Sequence, residues 1–83
     1  MFEQISENKW LIVSSRYTQG ILLFNSEDKS VVKIYNYGYY DTVIKQDNKC
    51  YIEHSNKNTG KYTVLYNLDD NTIRLVKYYL GEI

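Results

Sequence analysis

The chain has 83 residues, of which 43% are apolar and 24% charged, a size and balance that make one small folded domain (1–83) and exclude a disordered segment. Lys plus Arg and Asp plus Glu number 10 each, so neither the basic field of a duplex DNA binder nor the acidic surface of a DNA mimic is present. The lone Cys50 can close no internal disulfide, and no apolar run is long enough for a signal peptide or a membrane span, so a reducing, cytoplasmic setting is expected.

The composition points to strands. Alanine and proline are absent, while Tyr (10), Ile (8), Asn (8) and Lys (8) dominate. The best helix former is missing, and β-branched and aromatic residues suit a pleated sheet. Taken along the chain, strand-like segments run over residues 2–5, 9–15, 20–26, 30–37, 41–45, 49–55, 61–68 and 72–80. They are separated by Glu7-Asn8, Glu27-Asp28-Lys29, Asp47-Asn48, residues 56–60 and Asp69-Asp70-Asn71, which tolerate positive φ or bond their own backbone. Connections this short join antiparallel neighbours, so an all-β, eight-stranded antiparallel meander is expected, with no helix beyond about two turns.

The sequence also repeats, with residues 1–40 as one copy and 41–83 as the other. Asn8, Lys9, Ile12, Ser15 and Gly20 align with Asn48, Lys49, Ile52, Ser55 and Gly60 at an offset of 40. Leu23, Asn25, Asp28 and Tyr37 align with Leu65, Asn67, Asp70 and Tyr79 at an offset of 42. A period near 40 residues with four strands per copy resembles a β-propeller blade, and the two-copy chain is similar to small two-blade lectins. That resemblance implies closure by homo-oligomerisation, since propellers typically need about four to eight blades. A single-chain barrel or sandwich is the alternative. The segments Trp10-Leu11-Ile12-Val13 and Ile21-Leu22-Leu23-Phe24 carry apolar groups on both faces, so each must be covered on both sides.

Chemistry is sparse. Cys50 and His54 sit four residues apart on one strand, about 13 Å along the backbone, too far to share a zinc ion. The acidic turns lack a calcium-loop pattern, so no metal and no cofactor are expected. Cys50 reads as a buried structural thiol, His54 as a surface or partly satisfied strand residue, and the four glycines form no phosphate loop. The chain is read as no enzyme.

Aromatic residues remain. Tyr35, Tyr37, Tyr39 and Tyr40 surround Gly38, and Tyr78 and Tyr79 occupy the matching end of the second copy. Residues that the copies do not share are free to serve a partner, and Tyr17, Tyr39, Tyr40 and Arg16 are large interface types at or next to turns. Tyr37, shared with Tyr79, reads as structural. A neutral, motif-poor β-domain is similar in kind to small phage-encoded inhibitors of bacterial defence, which implies a protein partner. Alternatives are an oligomeric carbohydrate- or small-nucleotide-binding protein and, from Lys33-Ile34-Tyr35, Lys61-Tyr62 and Lys77-Tyr78-Tyr79, a single-stranded nucleic-acid binder. On the leading reading, replacing Tyr39 and Tyr40 by alanine weakens partner binding and leaves the melting temperature nearly unchanged; the alternative is that the two residues pack the junction between the copies.

Overall fold

The structure, a computed structural model, describes residues 1–14, 16–56 and 60–79, with side chains except at 55, 56 and 77–79. Eight strands follow one another: β1 (Phe2–Ser6), β2 (Lys9–Val13), β3 (Ile21–Asn25), β4 (Ser30–Tyr35), β5 (Thr42–Gln46), β6 (Lys49–Asn56), β7 (Gly60–Asn67) and β8 (Thr72–Tyr79). All pairings are antiparallel, in two four-stranded sheets of order β1-β2-β3-β4 and β5-β6-β7-β8. The described residues divide between Tyr40 and Asp41 into two compact units, each holding one sheet. The all-β antiparallel expectation is met, and no helix occurs among the described residues. Where expected segments ran longer, the chain leaves the ladder early: β2 ends at Val13 and β4 at Tyr35, because both feed the loops that hold the tyrosines discussed below.

The two sheets share a set of turn and ladder hydrogen bonds. At the β3–β4 turn the Asn25 carboxamide oxygen accepts the Glu27 N–H at 2.9 Å, and at the β7–β8 turn Asn67 accepts the Asp69 N–H at 2.9 Å. Asp28 then accepts the Ser30 N–H at 3.0 Å, as Asp70 accepts that of Thr72 at 3.2 Å. Lys29 and Asn71 close these turns at φ 58° in each case. The Asn8 carbonyl accepts the Ser26 N–H at 2.9 Å, and its mate Asn48 accepts the Leu68 N–H at 2.8 Å. The β3–β4 ladder slips between Ile21 and Leu22, and the β7–β8 ladder between Thr63 and Val64, the equivalent step. The β1–β2 ladder carries an extra irregularity between Gln4 and Ser6. Local side-chain bonds of this kind are why Asn and Asp define turns, and the repeat conserves them more closely than it conserves core residues.

These turns make the acid limb of stability predictable. A side-chain hydrogen bond from Ser30, seconded by the Ser30 backbone, holds the Asp28 carboxyl below its ordinary range, and Thr72 does the same for Asp70. Because the folded pKa lies below the unfolded one, both aspartates contribute stability above the unfolded value, and it is lost as pH falls through the folded value. Thermal melts from neutral pH to about pH 2 are expected to lose this contribution below about pH 4, and, because both carboxyls are exposed and screened by solvent, a D28N/D70N double variant is expected to flatten that limb slightly. An unchanged limb in the variant would assign it to other carboxylates.

Each unit has its own fully buried residues: Ile5, Leu11, Val13 and Ile21 in the first, Cys50, Ile52, Val64 and Tyr66 in the second. The Tyr66 hydroxyl donates to Asn71 Oδ1 at 2.6 Å, and burial, with Cys50 beside it, pushes the Tyr66 phenol above its ordinary pKa. Of the two positions expected of His54, it takes that of a strand residue with side-chain partners and not that at the surface. It is buried, on the inward side of β6 with Cys50 and Ile52, and its ring lies 4.9 Å from that of Tyr62, its cross-strand partner. Gly20 leads into β3 at φ 65°, and a Cβ there would overlap the Tyr35 carbonyl oxygen. Gly20→Ala is accordingly expected to cost about 1–3 kcal/mol, read as a drop in melting temperature without loss of the β-type circular dichroism.

Candidate functional site

The tyrosines of the first unit converge on two adjacent loops, residues 14–20 and 36–40. Three backbone-directed hydrogen bonds hold these loops to each other and to the sheet. Gly38 N–H donates to the Tyr17 carbonyl at 2.9 Å, Tyr40 N–H donates to the Ser14 carbonyl at 3.3 Å, and Lys33 Nζ donates to the Thr18 carbonyl at 2.8 Å. Within the first loop the Arg16 N–H donates to Ser14 Oγ at 3.1 Å and the Gln19 N–H to the Arg16 carbonyl at 3.1 Å. Backbone groups are thus satisfied at several places in a segment outside the strands, which favours a single loop conformation.

Three rings are displayed by this scaffold. Tyr17 lies 5.5 Å from Tyr37 with planes 18° apart, a stacked pair, and 5.2 Å from Tyr39 at 48°. Tyr17, Tyr37 and Tyr39 are 50%, 56% and 40% exposed. Such distances fall within the attractive range for aromatic pairs, so the rings fix each other's rotamers as well as presenting surface. Arg16 is exposed on the same loop.

Tyr40 belongs to the support. It is only 4% exposed, and its hydroxyl donates to the Tyr37 carbonyl at 2.8 Å. Its ring also lies where a Cβ on Gly38 would fall, and Gly38 adopts φ 131°. The tight approach of Tyr40 and the positive φ both require glycine at position 38. Of the four residues singled out in the sequence, Tyr17 and Tyr39 are in direct ring contact, Arg16 is exposed on the Tyr17 loop, and Tyr40 is a buried pin. The expectation that a Tyr39/Tyr40 alanine pair would spare the melting temperature is corrected on that ground.

Tyr37 is the member that sequence reasoning set aside. Its alignment with Tyr79 marked it as structural, yet it is the most exposed ring of the three. The available signal was its spacing: Tyr37 and Tyr39 flank Gly38 two residues apart, and both rings lie against Tyr17. The corresponding positions in the second copy, Lys57, Tyr79 and Gly81, lie outside the residues whose side chains are described, as do Ser15, Lys77 and Tyr78.

No group of three or more His, Cys, Asp or Glu side chains able to hold a metal occurs among the described residues, and no helix there is long and apolar enough to cross a membrane. No family model, curated protein or solved structure matches the chain.

Proposed function

We propose that the chain is a non-catalytic binding module that engages a protein partner through Tyr17, Tyr37 and Tyr39. The observation that carries this reading is the exposure of three rings, Tyr17 packed against both Tyr37 and Tyr39, on hydrogen-bonded loops. Tyrosine offers a large contact area with few torsions to freeze, so a preset cluster pays little conformational entropy on binding. Aromatic anchors of this kind are typical centres of protein interfaces. A sugar platform fits less well, because Tyr17 and Tyr37 already turn faces toward each other. A single-strand nucleic-acid site fits less well too, since Lys33 beside the cluster spends its ammonium group on the Thr18 carbonyl. The similarity in kind to small inhibitors of bacterial defence makes a defence protein the first class of partner to test.

Affinity capture from host lysate, with the wild-type chain and a Y17A/Y39A variant as parallel baits, tests the reading. A protein enriched by the wild type and lost from an equally stable variant is the expected result. Identical captures by the two baits would show that the tyrosines are not the binding surface.

A further inference from the structure

Because the two sheets are copies, their faces can be compared position by position. The registers of the first unit put Phe2, Trp10, Ile12, Leu22, Phe24 and Val31 on one face of its sheet, with Gln4 opposite Trp10 and Lys33 opposite Leu22. In the second unit Cys50, Ile52, Val64 and Tyr66 stand at the positions of Trp10, Ile12, Leu22 and Phe24, and they are 0–1% exposed. Their four counterparts in the first unit are only half-buried, with Trp10 and Phe24 rings 5.8 Å apart, and they are flanked by Phe2 at 71% and Val31 at 56% exposure.

The opposite face shows the reverse. Leu11, Val13 and Ile21 of the first unit are fully buried. Their second-unit equivalents Tyr51, Glu53 and Thr63 are half-buried, Thr42 lies beside Glu53, and the cross-strand row Ile44, Tyr51, Leu65, Arg74 runs from an Ile44 that is 41% exposed to an exposed Arg74. Along the inner strands β2–β3 and β6–β7 each unit therefore has one covered face and one open face, the open ones of opposite kind, while edge-strand Val32 at 52% and Leu75 at 46% exposure stay uncovered on the other sides.

We propose that the open apolar face of the first unit docks on the Ile44/Tyr51/Leu65 face of the second unit of another copy of this chain. The repeat argues for this occupant. The face that is open in the first unit is one that the same motif buries in the second, and the face that is open in the second is one that the motif buries in the first. A second copy supplies each open face with a surface of the opposite kind, as successive units of a repeat protein do. Contiguous exposed apolar side chains such as Phe2 and Val31 mark interaction surfaces. Contact between unlike faces is heterologous, so copies add head to tail until a ring closes. This assembly does not involve the tyrosine cluster and stands or falls separately from the proposed partner.

Sedimentation velocity and native mass spectrometry at high micromolar concentration read the outcome. The wild type is expected as a discrete assembly of two or more 9.9 kDa chains, and a monomer overturns the proposal without any variant. F2E/V31E, both at exposed edge-strand positions, is expected to weaken association at least tenfold, as is I44E on the other face, with far-UV circular dichroism unchanged. Mixing the two variants leaves one intact contact and is expected to give a one-to-one heterodimer. Undiminished self-association of either variant, or of a milder F2S/V31S pair where the glutamates unfold the chain, contradicts head-to-tail docking.

Discussion

Tyr40→Ala is expected to lower the melting temperature by about 12–40 °C. The side chain is almost fully buried, and its hydroxyl ties the Tyr37 carbonyl. Truncating a buried aromatic to alanine costs about 3–5 kcal/mol, and a domain of this size has only about 4–12 kcal/mol to lose. At about 4–8 °C per kcal/mol the shift is large. Tyr40→Phe keeps the ring and removes only the hydroxyl bond, so its cost is expected near 0.5–1.5 kcal/mol. The pair of variants separates packing from hydrogen bonding in one thermal-melt experiment. Equal, small shifts for both would mean that Tyr40 does not pin the loop.

Tyr17→Ala is expected to reduce affinity for the captured partner by about 2 kcal/mol or more, close to thirtyfold, while moving the melting temperature by only a few degrees. Tyr17 is the central ring, touching both Tyr37 and Tyr39, so its removal takes away its own contact area and the support of two neighbours. Being half exposed, it contributes modestly to the core. Tyr39→Ala is expected to cost less than Tyr17→Ala, and the double variant less than the sum, because contacting residues couple. Arg16→Ala is expected to change chiefly the association rate and its salt dependence, as exposed rim charges do. Isothermal titration of folded variants checks the set. Wild-type affinity for folded Tyr17→Ala would remove the cluster from the interface.

The fold was legible because its signals are local. Asn25, Asp28, Asn67 and Asp70 bond backbone groups two residues away, a relation that sequence spacing records directly, and the missing alanine and proline left strands as the consistent choice. The repeat was legible for the same reason, since Gly20 and Gly60, or Lys29 and Asn71, mark positive-φ positions at fixed offsets. The candidate site was only half legible. Proximity to a turn identified Tyr17 and Tyr39 as interface residues, but whether a tyrosine in a loop points out or in depends on backbone torsions that spacing does not encode. Tyr40 turns inward because Gly38, with no side chain and φ 131°, leaves room for its ring. Tyr37 stays outward because its neighbour Tyr17 offers a ring to stack upon. The sequence leaves His54 between a surface and a partly satisfied position, although its burial follows from sharing the inward face of β6 with Cys50 and Ile52, a face that the reading of Cys50 as a buried thiol already marks.

The central claim is that the Tyr17, Tyr37 and Tyr39 surface is where a protein partner docks, and it is tested most directly by a two-dimensional NMR titration of the isotopically labelled chain with that partner. The largest shift changes and earliest line broadening are expected at residues 16–19 and 36–39, with the β7–β8 turn of the second unit little affected. Largest changes in the second unit, with Tyr17, Tyr37 and Tyr39 unmoved at saturation, would contradict it.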